Sequence, residues 1–386
     1  MRHGLTLLCA VVLLAAGCAG VEDTTPPPTD LERFDAEADL VERWSGSTGG
    51  AFNRRWVRLA PVVEGDRLYT LNVSGELKAW NRERGRRIWR SHAGTVVSAG
   101  VGLDEDHAYI GTQDGRLIAY ARDDGERAWE RNMRGELLAQ PAAARGMVVV
   151  RTVDGRVTAL DPQDGSRLWS YSTSVPELSL RGASPPVIVE GGVLVGLDNG
   201  RVVALDERSG EVIWESRVAE PEGRTPIDRM VDIDGTIGIG REFIYAAAFQ
   251  GRIVQIEPGR GEIGWSRSMS SYAGLRIDDR RIYVTDEAGR VHALDKRDGS
   301  VVWEQERLAW RGVSAPVPVP GTDWLVVSDH ENYVHLLARD DGRIVGRARI
   351  EGRWGIRSDP VVAEDGWIYI QGQGATITAF EPVARD

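Results

Sequence analysis

Few side chains in this sequence are placed for chemistry. Asp232-Ile233-Asp234-Gly235 has the alternating acids of a calcium loop. Met230, however, stands at the preceding alternate position, and no Glu lies five residues beyond the Gly, so the oxygen set is incomplete. His330 and His335 are close in sequence, but a spacing of five on a strand puts them on opposite faces, which does not suit a shared metal. No Gly-x-Ser-x-Gly elbow occurs. Gly238-Ile239-Gly240 and Gly372-Gln373-Gly374 lack the third Gly and the strand-to-helix setting of a nucleotide site. Both cysteines, Cys9 and Cys18, fall in the first twenty residues, so the rest of the chain has no disulfide, thiol nucleophile or Cys-based zinc site. What remains suits recognition. Leu178, Leu180 and Arg181 lie in a segment rich in Ser and Pro, and Asp228, Asp232 and Asp234 supply opposite charge in another. An apolar pair, a guanidinium and carboxylates can form the centre of a protein interface.

Cys18 has chemistry of a different kind. Arg2 and His3 precede an apolar run from Leu5 to Ala16, which is of secretory length and too short to span a bilayer. It ends in Leu14-Ala15-Ala16-Gly17-Cys18, small residues before a Cys, and resembles a bacterial lipobox, although Leu stands one position further out than usual. That assigns 1–17 to a signal peptide and makes Cys18 the lipidated first residue. Ala19 follows, where Asp commonly retains Gram-negative lipoproteins in the inner membrane, so the pattern implies the outer membrane. Residues 18–37, with Pro26-Pro27-Pro28, read as a stiff tether lifting the folded part off the bilayer. The net charge of −11 disfavours nucleic acid as a partner.

The elements that must position these groups are repeats. The clearest copy is Asp154-Gly155, Ala159, Asp161, Gly165 and Trp169. The turn position recurs at Gly75, Gly115, Gly155, Gly200, Gly251, Gly289, Asn332 and Ala375. Fourteen residues later stands Trp89, Trp129, Trp169, Trp214, Trp265 or Trp303, with Gly346 as the exception. Polarity alternates with period two on either side of the turns, and four short strands fit each period of roughly 42 residues. In the first repeat they fall near 59–63, 67–72, 76–81 and 86–91. Four antiparallel strands per period mark a β-propeller blade. The eighth copy stops before its outer strand, and Val41-Glu42-Arg43-Trp44 has the missing pattern. The expected fold is therefore all-β, an eight-bladed propeller over 38–386 closed by an N-terminal strand, with Trp44 joining the structural Trp column.

Link lengths mark one region of the ring. From Trp position to the next turn, the intervals are 26, 26, 31, 37, 24, 29 and 29. The two longest place extra residues near 171–186 and 217–236, at consecutive junctions on the rim that carries the Asp-Gly turns. Long loops on a rigid scaffold tend to be functional. The alternative is that the leucines tuck back onto their own blade and Arg181 pairs internally.

The block Ala-x-Asp-x-x-x-Gly-x-x-x-Trp, over about 60 to 380, resembles the repeat of pyrroloquinoline-quinone (PQQ) propellers. One branch comprises dehydrogenases, many with a vicinal Cys pair and Glu, Asn and Asp ligands for calcium. This chain is much shorter than those and has no Cys after Cys18. The other branch is the BamB family of outer-membrane β-barrel assembly lipoproteins, which the chain resembles in length, lipobox, closing strand and blade number. The local match is Pro176 to Ser184 and Ile227 to Asp234. The resemblance implies a non-catalytic, cofactor-free scaffold, monomeric in itself within a hetero-complex. It implies lipid anchoring at the periplasmic face of the outer membrane, docking on the periplasmic domains of BamA, and help to nascent outer-membrane proteins. Matched residue by residue, it implies Leu178, Leu180, Arg181, Asp232 and Asp234 as partner contacts. Pairing of client strands with an open blade edge is a further expectation. A carbohydrate-binding propeller, with Trp310, Trp324 or Trp354 as platforms, and a PQQ dehydrogenase are the alternatives.

Overall fold

The computed structural model describes residues 26–50, 57–176, 178–180 and 184–385. Thirty-two strands among them form eight four-stranded antiparallel sheets, and no helix occurs among the described residues. Blade 1 is Val62–Glu64, Arg67–Leu71, Glu76–Asn81 and Arg86–His92. Blades 2 to 7 repeat this order from the channel outwards, each from consecutive strands. Blade 8 takes Val361–Val362, Ile368–Gly372 and Thr376–Ala384 from the end of the chain and Ala38–Ser47 from its beginning.

No single core holds the molecule. Apolar residues collect into eight clusters, one at each contact between neighbouring blades. The second and third strands are therefore covered on both faces, as in Met147–Arg151, where all five residues are buried. Gly155 shows why the hairpins need glycine: its φ is +79°, and a Cβ there would lie 2.5 Å from the Thr173 carbonyl oxygen.

The Trp column lies on these contacts. Trp169 donates its indole N–H to the Glu207 carbonyl at 2.9 Å, and a Cβ at Gly210 of the next blade would fall 2.5 Å from its ring. Trp44, Trp89, Trp129, Trp214, Trp265 and Trp303 repeat this on Gly85, Gly125, Gly165, Gly261, Gly299 and Gly342. Their indole N–H groups reach the carbonyls of Arg82, Arg122, Pro162, Pro258, Lys296 and Arg339 at 2.6–3.0 Å. Each indole thus fills a space that only glycine leaves open. Trp169→Ala is expected to cost about 3–5 kcal/mol, by lost burial and the cavity left behind. Denaturant unfolding measures it; a loss below about 1 kcal/mol would show that blade contacts do not depend on the indoles.

Ring closure follows the expected register. Trp44 pairs with Ala379 as Trp169 pairs with Ala159, and one cluster joins Trp44, Tyr369, Ile377 and Ala379 to Leu68 and Trp80 of blade 1.

The end of the segment expected to be a stiff tether does not stand clear of the propeller. From Thr29 onward the chain is seated on blades 6 and 7. The Thr29 N–H donates to the Ala309 carbonyl at 3.1 Å, Leu31 and Phe34 pack against the cluster between those blades, and Arg347 lies 4.8 Å over the Phe34 ring. Both Glu37 carboxylate oxygens accept from Arg343 at 2.9 Å, and the Glu37 N–H donates to the Val345 carbonyl at 2.9 Å. This explains Gly346, the exception in the Trp column: a Cβ there would meet the Ala38 carbonyl at 2.8 Å. The N-terminal segment occupies the outside of blade 7, where the other blades carry an indole.

Candidate functional site

Strand order fixes which loops share a face. The turns between second and third strands lie on one rim with the links from each blade to the next; the remaining turns lie on the other. The two long links, 173–186 and 218–237, therefore open onto one face, and the structure brings them into contact. The Leu180 N–H donates to the Asp232 carboxylate, and the Ser184 hydroxyl donates to the Gly235 carbonyl at 2.8 Å.

The second link has two halves of different character. Val231, Ile233 and Ile237 are buried in the cluster between blades 4 and 5. Asp232 lies between the first two, and its backbone pairs with Phe249, whose N–H donates to the Asp232 carbonyl at 2.8 Å. The other half, 220–229, is exposed throughout. It closes on a single turn in which the Thr225 N–H donates to Asp228 and the Asp228 N–H donates to the Thr225 hydroxyl, each at 3.1 Å. Ile227 in that turn is 65% exposed. Leu178 on the first link is 47% exposed and Leu180 is half-buried.

Asp232 does not offer its charge to solvent, as the sequence reading had it. Its exposure is 0%, because the flanking Val231 and Ile233 draw the segment into the blade. Burial, with Asp234 and Asp198 nearby, pushes its carboxyl up to about 8 against the opposing effect of the Leu180 N–H and Arg151. Asp234 is half-buried by surface area and is raised by burial to about 6, with the Arg58 charge acting the other way. Asp232 therefore supports the first link from inside, while Leu178 and Ile227 lie on the outer surface. Arg181 and Cys18 lie outside the described residues. Ile227 was not selected from sequence, although its place in a long charged link is the kind of signal that marks it.

Around this site the channel mouth is polar. Arg58, in the link into blade 1, reaches across the ring to donate to the Tyr272 carbonyl at 3.1 Å, and its guanidinium lies 5.5 Å from the Tyr272 ring centre. Arg151 and Asp198 form a buried ion pair behind the Asp232 segment. Among the described residues no group of three His, Cys, Asp or Glu side chains is placed to hold a metal. Of the three possible sugar platforms, Trp310 and Trp354 are exposed on the loop face, whereas Trp324 is half-buried against the cluster between blades 7 and 8.

The Asp232 carboxyl makes stability depend on pH in a definite direction. Folded, it titrates near 8; unfolded, an Asp titrates near about 3.9. Between those values the folded chain holds a proton that the unfolded chain has released. The contribution is fully present below the lower value and is lost as pH rises through the upper one. Asp232→Asn keeps an acceptor for the Leu180 N–H and does not titrate. The stability of the parent relative to this variant should therefore fall by roughly 3–4 kcal/mol from pH 5 to pH 8. Denaturant unfolding across that range measures it, and a constant difference would show that Asp232 is ionised throughout.

The family model described as outer membrane protein assembly factor BamB matches residues 73–305 and 297–384. The outer membrane protein assembly factor BamB of Pseudomonas aeruginosa is 43% identical over 373 residues, 97% of each chain. The crystal structure of BamB from Moraxella catarrhalis matches with a TM-score of 0.80 at 27% identity, over 89% of this chain and 99% of that one. A quinohemoprotein alcohol dehydrogenase from Comamonas testosteroni matches with a TM-score of 0.73 at 16% identity, over 89% of this chain and 76% of that one, a likeness of fold alone. With the family model and the Pseudomonas relative both spanning most of its length, the chain belongs to the outer membrane protein assembly factor BamB family.

Proposed function

We propose that this propeller is a non-catalytic scaffold in the assembly of outer-membrane β-barrel proteins, held at the periplasmic face of the outer membrane by acylation of Cys18. It docks on the periplasmic domains of BamA through the paired links. Leu178 and Ile227 enter the partner, Arg181 supplies a charge to it, and Asp232 holds Leu180 in place from behind, with Asp234 close beside it. Nascent outer-membrane proteins are its clients. The observation that carries this reading is the Leu180–Asp232 bond, which joins two outsized links from consecutive junctions into one surface with exposed apolar groups. Such a surface has the apolar centre and polar rim of a transient interface.

A photo-crosslinking residue at position 178, in intact cells, tests the proposal. The captured protein is expected to be BamA, joined through its periplasmic domains. Capture of BamA from the Gly65 turn on the opposite face, and not from 178, would move the docking surface to the other side of the ring.

A further inference from the structure

Two large indoles on the loop face have backbone conformations that side chains of their size avoid. Trp310 has φ of 61° and Trp354 has φ of 80°, both in the left-handed region. A bulky residue there is strained, and such strain clusters at functional positions. Both are exposed in part, at 39% and 44%.

They also belong together. Trp310 lies in the link into blade 7 and Trp354 in the link out of it, on either side of the blade 7 turn at 329–332. The His330 N–H donates to the Arg311 carbonyl at 3.0 Å, and the Asn332 amide donates to the Gly352 carbonyl at 3.2 Å. The corner carries little net charge. Burial pushes the His330 imidazole down to about 4, so it is neutral at physiological pH. Glu331 pairs with Arg311, Glu32 pairs with Arg307, and Glu351 and Arg353 are both exposed nearby.

The chain's own amino terminus leaves the propeller at this corner. Thr29 is bound through its N–H and its hydroxyl to the Ala309 carbonyl, at 3.1 and 2.9 Å, and its own carbonyl accepts from Arg311 at 2.8 Å. Thr29 is only eleven residue steps from Cys18, a reach of at most about 40 Å. Aromatic side chains with an apolar body and a polar N–H favour the lipid–water boundary, and a short tether holds them near it at high effective concentration.

We propose that the blade 7 corner rests on the bilayer that holds the N-terminus, with Trp310 and Trp354 seated among the headgroups of a zwitterionic phospholipid surface. The propeller then stands on the membrane by that corner, with the links of blades 3 to 5 raised away from it. This rests on the anchor reading at Cys18, and the test below supplies the anchor chemically so that the two readings fail separately.

The chain from residue 18 onward has Cys18 as its only cysteine. It can be coupled through that thiol to a maleimide phospholipid in phosphatidylcholine vesicles, with or without dibrominated acyl chains. Bromine quenches indole emission at close range. The parent is expected to lose part of its Trp emission on brominated vesicles, and Trp310→Gly with Trp354→Gly is expected to remove at least roughly half of that loss. Glycine suits both backbone angles, which offsets part of the packing lost with the indoles, so the variant should keep a cooperative melt close to that of the parent. Equal quenching in parent and variant would overturn the proposal, as would a lower melting temperature with an unaltered quenching signal. Two other findings with the uncoupled chain would also overturn it. One is emission quenched by soluble peptidoglycan fragments through these two indoles, which would make them a sugar platform. The other is a dimer that the double substitution dissolves. The mass of Cys18 in protein taken from cells tests the anchor reading by itself.

Discussion

Deleting residues 38–46 is expected to abolish the cooperative thermal transition of the parent. The strand Ala38–Ser47 pairs with Thr376–Ala384 over nearly its whole length. Its loss removes the Trp44 indole from Gly85 and Arg82 and opens the apolar cluster between blades 8 and 1. It also breaks the ion pairs Arg43–Glu381 and Asp39–Arg385. The third strand of blade 8 becomes a bare edge beside an unfilled gap, which invites pairing between molecules. The indole alone is worth about 3–5 kcal/mol. With the lost strand, the total passes roughly 5 kcal/mol and approaches the whole stability of an ordinary domain. Calorimetry on the deleted chain checks this. A transition at the parental temperature would mean that seven blades and a partial eighth stand without closure.

Leu178→Glu is expected to weaken the proposed docking on the BamA periplasmic domains by about a hundredfold or more, while the melting temperature stays within about 2 °C of the parent. Truncation or reversal of a central apolar contact commonly costs on the order of 2–4 kcal/mol at an interface. The same change costs little in the free chain because Leu178 is 47% exposed. Ile227→Glu should act in the same direction. Titration calorimetry with the isolated partner domains, beside a thermal melt, separates the two effects. Undiminished affinity in both variants would place the docking surface elsewhere on the ring.

The parts of this molecule that sequence made legible are those set by local spacing. The eight recurring turn positions, six of them with a Trp fourteen residues on, gave the blade count, and the outer strand missing from the eighth copy pointed to Trp44. Link lengths alone picked out the junctions that the Leu180–Asp232 bond joins. Contacts between remote segments were less accessible. Asp232 and Asp234 read as surface acids because Asp usually is one. The alternation Val231-Asp232-Ile233-Asp234 carries a strand-like signal, but only the blade 4–5 contact decides which side is buried. Leu31 and Phe34 sit in a charged, Pro-flanked segment with no periodicity. Their seat exists because Gly346 leaves the outside of blade 7 clear. Arg58 meets Tyr272 across 214 residues of chain, a proximity that no local pattern encodes.

The seated segment 29–37 has a mechanical consequence. Any force drawn along the amino terminus arrives first at the Thr29–Ala309 bonds, then at Glu32–Arg307, Phe34–Arg347 and Glu37–Arg343, before it loads the strand that seals the ring. These contacts lie in series, like stitches ahead of a seam. Traction is thus dissipated on the flank of blades 6 and 7, and the circular sheet assembly is shielded from being unzipped by its own leash.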